Sequence, residues 1–187
     1  MWIRISQSTI LATYALATIL FATPYHGSIG QVPYQAIFQQ VAGPRWTDRA
    51  AQIQAESGFN PRAVSSVGAK GLGQAMDTTW AWYQKAGWVP KGASPFDPQP
   101  AIMGQSRYML WLEPRVSGVW HAALGGYNAG LGTVDKAIYL AKTLGIPGVD
   151  PWLIVLPKVS GPANAKQTQE YIVHNDTNLA AINRRLK

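Results

Sequence analysis

The residue best suited to chemistry is Glu56, one of only three glutamates in the chain. It closes a run of helix-forming residues, and two glycine-containing segments, 68–74 and 126–130, follow it. Cleaving or rearranging a glycosidic bond requires a carboxylic acid that keeps its proton near neutral pH. Glu56 is therefore the candidate acid, and the two later segments are candidates for lining a sugar-binding cleft.

The residues around Glu56 predict that it lies in the last turn of a helix. Residues 49–56 are dense in helix formers, and Gly58 is a strong stop signal after them. The negative end of a helix dipole disfavours a carboxylate, and burial beside Ile53 and Phe59 would act in the same direction. We expect both effects to raise the pKa of Glu56 and to favour the protonated acid.

Composition predicts one well-buried domain with anionic partners. The chain has 187 residues, of which 47% are hydrophobic and 13% charged, and this balance excludes general disorder. The net charge of +7 favours nucleic acid, anionic lipid or anionic cell-wall polymers as partners. Because the only tight basic cluster is at 184–187, the charge is diffuse, and we do not expect nucleic acid to be the partner.

Several other kinds of site are disfavoured by the same sequence. The chain has no cysteine, and its three histidines have no metal-ligand spacing, so we expect no metal and no cofactor. The glycine-rich stretch 68–73 lacks the Gly-Lys-Ser/Thr ending of a phosphate-binding loop and follows no strand. Ser57 has no histidine or lysine at a spacing that would activate it as a nucleophile.

The amino-terminal segment is typical of an export signal. A short start carrying Arg4 precedes an unbroken run of apolar and small residues at 10–22, which Pro24 interrupts soon afterwards. The run is short for a membrane span, which needs about 20 apolar residues. Residues 1–27 are therefore predicted to be a signal peptide or a signal anchor in the inner membrane, and a buried soluble helix is the alternative. Residues 28–187 would form the catalytic domain.

The rest of the chain predicts a mostly α-helical fold with long loops. The only candidate strand is 152–156, and it is weak. Thr47 or Asp48 could cap the helix that contains Glu56, and Asp77 could cap the next one. The expected helices are 32–41, 49–56, one from Thr78, 101–112, 119–127, 133–144 and 166–185.

Taken together, these motifs resemble the soluble lytic transglycosylase family, glycoside hydrolase family 23, which is related to goose-type lysozymes. The resemblance runs from about residue 34 to about residue 173. The matching positions are Glu56-Ser57, Phe59-Asn60-Pro61, 68–74, Met76, Thr79-Trp80, Asp97-Pro98, Ile102, Gly104, Tyr108, 126–130 and Thr168-Gln169-Glu170-Tyr171-Ile172.

The resemblance implies a lysozyme-like α fold, with a substrate groove lined by long loops, that cleaves peptidoglycan between N-acetylmuramic acid and N-acetylglucosamine. One glutamate serves first as acid and then as base, while the muramic acid C6 hydroxyl attacks and leaves a 1,6-anhydro end. By this match Glu56 is the acid/base and Ser57 its hydrogen-bonding neighbour. The remaining implied substrate-binding residues are Gln74, Met76, Asn128, Tyr127 and Tyr171, and the two tyrosines would also orient the glutamate.

Four positions depart from the family pattern, and none removes the acid. Gly73 stands where the family has methionine, Asp77 where it has proline, Ala101 where it has asparagine, and Gln167 where it has glutamate. We expect these departures to bear on subsite affinity and rate. Tyr171 remains open between a core tyrosine and a wall of the cleft.

Most glycosidases use two carboxyl groups, and two alternatives to the single-glutamate mechanism follow. A goose-type hydrolysing muramidase would use Asp77 or Asp97 to position water, although each is better explained as a capping or turn residue. A non-catalytic peptidoglycan-binding component of an envelope-spanning machine would retain the fold without the reaction.

The expected partner is the peptidoglycan glycan strand, and the expected location is the periplasm, with the chain exported or anchored at the inner membrane. A chain of this size suits local opening of the cell wall. Machines that need such openings include conjugative or type IV secretion systems, pili and bacteriophage virions, and the sequence does not choose among them.

Overall fold

The computed structural model describes residues 31–187, which are mostly helical. The predicted signal segment 1–27 lies outside the described residues. Within 31–187 the only β pairing consists of two isolated bridges, so this part of the chain contains no sheet. The helices are α1 (Gln35–Ala42), α2 (Trp46–Ser57), α3 (Asp77–Lys85), α4 (Pro98–Leu112), α5 (Trp120–Gly125), α6 (Leu131–Thr143), α7 (Pro151–Ser160) and α8 (Pro162–Arg185).

The described residues divide into two compact units. The first unit comprises residues 31–110 and 173–187, and the second comprises residues 111–172. Helices α4 and α8 each contribute residues to both units.

The core of the first unit is built around the apolar face of α2. Ala50 and Ile53 are fully buried on this helix and pack with Phe38 from α1 and Leu72 from the following loop. Phe38 also meets Phe59 edge to face, with ring centroids 6.4 Å apart. These contacts fix the register of α2 and therefore the direction in which its last turn points.

The end of α2 is as predicted, but its start is not. Gly58 adopts the left-handed conformation at φ 59° and donates its N–H to Gln54 O at 3.0 Å, so the helix stops after Ser57. The predicted cap by Thr47 or Asp48 is wrong, because a 3₁₀ turn over Gly43–Arg45 runs directly into the helix. Asp48 instead pairs with Arg45 in the first turn.

The glycine-rich loop after α2 folds back on itself. Lys70 forms antiparallel bridges with both Val64 and Ala75, which tightens the predicted loop into a compact double turn. Gly71 sits at φ +70°, and a Cβ placed there would lie 1.8 Å from Pro95 O. A glycine is therefore required where this loop crosses the segment before α4.

Helix α3 starts one residue earlier than expected, so the predicted N-cap role of Asp77 is wrong. Met76 occupies the cap position in extended conformation, and Asp77 is the first helical residue. In the second unit the candidate strand at 152–156 is also wrong, because it lies inside α7. Trp152, Val155 and Leu156 are its buried residues, at the i, i+3, i+4 spacing of a helix, and Pro151 at the first helical position favours the helix start.

An aromatic cluster organises the segment from α3 to α4 in the first unit. Trp80 and Tyr83 are buried, and half-buried Trp82, Trp88 and Tyr108 pack around them. The Trp80 indole N–H donates to Ala93 O at 2.9 Å, which ties the loop between α3 and α4 to the cluster.

We expect Gly71→Ala to lower the free energy of unfolding by at least about 2 kcal/mol, because the left-handed strain and the backbone clash add together. Gly87→Ala is the matched control: Gly87 has φ +69° but nothing within 4 Å of an added Cβ. It should cost only about 1 kcal/mol. Chemical denaturation of the two variants measures the difference, and equal losses would contradict the close approach to Pro95.

Candidate functional site

Glu56 lies in the last turn of α2, as predicted, and its side chain is half-buried. Ile53, one turn earlier, is fully buried, so Glu56 stands at the edge of the helix face that packs in the core. The carbonyl groups of this last turn carry the negative end of the helix dipole. The raised pKa that this placement is expected to give Glu56 stays a prediction.

Ser57 is anchored to the same turn. Its hydroxyl donates to Ile53 O at 3.2 Å, which adds a side-chain bond to the carbonyl one turn back. The bond holds the residue next to Glu56 in a fixed rotamer. The implied bond from Ser57 to the glutamate stays a prediction.

Gln74 occupies a strained position in the loop between α2 and α3. Its φ of 46° lies in the left-handed region, which is uncommon for a residue with a side chain and is often found at functional sites. The side-chain nitrogen donates to Gly71 O at 2.9 Å and to Ala63 O at 3.4 Å. With the nitrogen engaged by the loop, the Oε1 atom is the end of the amide suited to accept a hydrogen bond from a ligand.

Met76 and Asp77 follow Gln74 at the start of α3. Met76 is half-buried and caps the helix, with its carbonyl accepting the Trp80 N–H at 2.8 Å. The Asp77 carboxylate is held by Lys70 Nζ at 2.7 and 3.0 Å, so both of its oxygens face a cation. The proline-to-aspartate departure thus comes with a partner on the glycine-rich loop that the sequence pattern did not indicate.

Tyr127 and Asn128 lie on an unusual turn in the second unit. Residues Gly126–Gly130 form a single π-helical turn between α5 and α6, where a continuous helix to residue 127 was expected. Such turns are rare and occur frequently at functional sites. Tyr127 is buried at 8% exposure, and Asn128 is half-buried with its Oδ1 3.0 Å from Thr168 Oγ1.

Three side chains in contact, those of Trp152, Asp150 and His121, support the helix that precedes the π turn. A Cβ on Gly125 would lie 2.5 Å from Trp152 Cη2, so the indole ring packs directly against the backbone of α5. The Trp152 N–H donates to Asp150 Oδ1 at 3.2 Å, and Asp150 Oδ2 is 2.5 Å from His121 Nδ1. His121 therefore joins α5 to the start of α7.

Tyr171 lies on α8 in the second unit, three residues after Thr168, and is buried at 2% exposure. The predicted site residues thus fall into two groups. Glu56, Ser57, Gln74 and Met76 belong to the first unit, and Tyr127, Asn128 and Tyr171 belong to the second.

Sequence reasoning missed the ion pair between Lys70 and Asp77, the pair between His121 and Asp150, and the contact between Thr168 and Asn128. Within 31–187 no group of three or more potential metal-ligating side chains comes together. None of the helices in that same part of the chain is long and apolar enough to cross a bilayer.

Residues 49–147 match the sequence profile of the transglycosylase SLT domain. The chain belongs to the transglycosylase SLT domain family. The match contains Glu56, the glycine-rich loop and the π turn, while Tyr171 and Thr168 lie beyond it.

The SLT chain is also similar to longer curated proteins. A membrane-bound lytic murein transglycosylase F from Shewanella halifaxensis is 33% identical over 121 residues, covering 60% of this chain and 24% of that protein. Its namesake from Maricaulis maris is 32% identical over 144 residues, covering 70% and 30%. The chain therefore spans less than a third of the length of these relatives.

Solved structures confirm the predicted lysozyme-like transglycosylase fold of the SLT chain. The 70 kDa soluble lytic transglycosylase Slt70 of Escherichia coli superposes with a TM-score of 0.61 at 23% identity, over 77% of this chain and 24% of that one. The soluble lytic transglycosylase in complex with bulgecin A gives 0.62 at 24% identity, over 78% and 24%. An inactive mutant of Slt from Pseudomonas aeruginosa gives 0.61 at 22% identity, over 82% and 25%.

The packing beneath the π turn can be tested by adding one methyl group. In an ordinary helix Gly→Ala stabilises by about 0.5–1 kcal/mol. Gly125→Ala should instead destabilise the protein by about 1–3 kcal/mol, because the rigid Trp152 ring has no room to move. Thermal unfolding followed by circular dichroism measures the change.

Gly126→Ala is the control, because its Cβ would meet the flexible Leu112 side chain at 3.1 Å and the Leu131 Cα only at an ordinary contact distance of 3.8 Å. It should leave the melting temperature nearly unchanged. A Gly125→Ala protein at least as stable as the wild type would contradict the described contact with Trp152.

Proposed function

We propose that this chain cleaves the glycan strands of peptidoglycan as a lytic transglycosylase, with residues 28–187 as the catalytic domain. The observation that supports this most is the position of Glu56, half-buried in the last turn of α2 inside the family match. The relatives that carry the same domain are named lytic murein transglycosylases.

Glu56 performs both proton transfers in the proposed reaction. Its acid proton goes to the bridging oxygen between N-acetylmuramic acid and N-acetylglucosamine, and the glycosidic C–O bond breaks with its electron pair on that oxygen. The C6 hydroxyl of the muramic acid then attacks the anomeric carbon, and the Glu56 carboxylate takes the hydroxyl proton. The product is a 1,6-anhydro end, the acid is regenerated, and no water is consumed.

The other proposed site residues bind and orient the sugar. Gln74 Oε1 and the Asn128 amide hydrogen-bond to the glycan. Met76 gives an apolar contact, since position 73 is a glycine where the family has methionine. Ser57 is the proposed hydrogen-bonding neighbour of the Glu56 carboxyl group. Tyr127 and Tyr171 are proposed to orient the Glu56 side chain and to form a wall of the substrate cleft.

The remaining acidic residues of segment 31–110 are poor candidates for a second catalytic carboxylate. Asp48 pairs with Arg45, and both oxygens of Asp77 face Lys70. Asp97 is exposed, and its carbonyl accepts the Ala101 N–H at 3.0 Å at the start of α4. Within 31–110 these contacts favour a single-glutamate mechanism over hydrolysis by a water that Asp77 or Asp97 would position.

The proposed setting is the periplasm, reached through the segment 1–27 or with that segment retained in the inner membrane. The word "membrane-bound" in the names of the relatives supports this setting. There the enzyme would open the wall locally for a secretion or conjugation machine, a pilus or a phage particle.

Glu56→Gln should lower the release of soluble muropeptides from purified sacculi by at least about 100-fold, because a general acid contributes about 10²–10⁴-fold. The amide keeps the size of the side chain, so circular dichroism should show an unchanged fold. Glu170→Gln is the control, since that exposed side chain lies near Lys166 on α8 and has no proposed role.

Unchanged lysis by Glu56→Gln would remove the acid assignment. A wild-type protein that sediments with sacculi but releases nothing would favour the non-catalytic binding component instead.

Asp77→Asn separates the transglycosylase from a hydrolase that uses this carboxylate. Because Asp77 is an exposed residue in an ion pair, we expect a change of at most about two- to fivefold in the rate of muropeptide release. Lys70→Gln serves as the paired variant and should behave the same way. A loss of about 100-fold or more in Asp77→Asn alone would support Asp77 as a water-positioning base.

A further inference from the structure

A buried hydroxyl group on α8 contacts the π turn. Thr168 is 2% exposed, and its Oγ1 lies 3.0 Å from Asn128 Oδ1 and 3.1 Å from Asn164 O. All three residues belong to the second unit. Thr168 therefore bridges the backbone of its own helix and the amide of a proposed sugar-binding residue.

The position of this hydroxyl is fixed by neighbouring bonds. Gln169 Nε2 donates to Leu153 O at 3.1 Å, and Asn164 Nδ2 donates to Ser160 O at 2.9 Å. Both bonds hold the first turns of α8 to α7. Since Trp152 of α7 also packs on Gly125, the same helix sets the register of α8 and supports the π turn.

A threonine hydroxyl has a single hydrogen, so it can donate to only one of its two neighbours. If it donates to Asn128 Oδ1, the contact with Asn164 O is left without a proton. If it donates to Asn164 O, its lone pair can accept a hydrogen from the Asn128 amide turned by half a rotation about its last bond. The second arrangement makes two hydrogen bonds instead of one, and a buried polar cluster favours the arrangement that satisfies more groups.

We propose that Thr168 is a positioning residue that fixes the orientation of the Asn128 amide. Thr168 donates to Asn164 O and accepts from Asn128 Nδ2–H, so Asn128 Oδ1 is directed away from Thr168 and accepts a hydrogen bond from a sugar hydroxyl or N–H. This inference rests on the proposed function for the identity of the ligand. The orientation itself rests only on the three residues.

The orientation is read directly from the side-chain amide protons of Asn128 by ¹H–¹⁵N NMR. In the wild type one Nδ2 proton should exchange with solvent at least about tenfold more slowly than those of exposed Asn60. Thr168→Ser keeps the hydroxyl and should keep this protection, whereas Thr168→Val, which has the same shape, should lose it. Exchange as fast as that of Asn60 in the wild type would overturn the proposed orientation.

The effect on the ligand is measured by calorimetry in the Glu56→Gln background with an N-acetylglucosamine tetramer. Thr168→Val should weaken binding about five- to tenfold, as expected for one misplaced neutral hydrogen bond, while Thr168→Ser stays within about twofold. Equal melting temperatures of the two variants would exclude a merely structural effect. Equal affinities for Thr168→Val and wild type would overturn the positioning role.

The two proposals fail in different ways. If the wild type neither cleaves sacculi nor binds the tetramer, the proposed function fails, and the exchange rates still decide the orientation of Asn128. If the wild type cleaves sacculi and binds the tetramer, but Thr168→Val changes neither the amide exchange rate nor the affinity, only the positioning role fails.

Discussion

The structure depends first on how α2 is held and where it stops. One face of this helix is buried in the first unit, with Ala50 and Ile53 almost completely covered, and the left-handed Gly58 ends it one residue after Ser57. The Glu56 side chain is therefore half-buried at the edge of this core, beside the negative end of the helix. The proposed acid role of Glu56 depends on this placement, because the negative end of a helix disfavours the charged form of a carboxyl group.

In the second unit, tertiary contacts hold an irregular turn in one conformation. A π turn has poorer local hydrogen bonding than a regular helix, so its surroundings must specify it. Here Trp152 packs on the glycine before the turn, Asp150 links that indole to His121, and Thr168 reaches Asn128 within the turn. Tyr127 and Asn128 thus lie on an unusual turn whose neighbouring residues are packed and hydrogen-bonded.

How far the sequence predicts such a structure depends on whether the signal is local. The end of α2 was predictable because glycine favours the left-handed stop, and the mostly helical lysozyme-like fold followed from combined motifs. The start of α2 was not, because a 3₁₀ turn replaced the side-chain cap, and the apolar run after Pro151 was ambiguous between strand and helix. The pair of His121 and Asp150 joins residues 29 positions apart, which no short pattern encodes.

The same division applies to the candidate site. Glu56 was singled out by its type and its place at a helix end, and the family resemblance indicated Gln74 and the π-turn residues. Lys70 and Thr168 acquire their roles only from tertiary contacts. The Lys70 contact matters most for the chemistry, because it occupies the one acidic residue that a departure from the family pattern adds near the glycine-rich loop. The proposed reaction accordingly uses one carboxyl group, that of Glu56.

In the proposed reaction the sugar's own hydroxyl, and not water, attacks the anomeric carbon. Digestion of sacculi in water enriched in oxygen-18, followed by mass spectrometry of the released muropeptides, tests it most directly. We expect 1,6-anhydro products that are lighter than reducing ends by one water and carry no heavy oxygen. Reducing ends that each contain one oxygen-18 atom would contradict it.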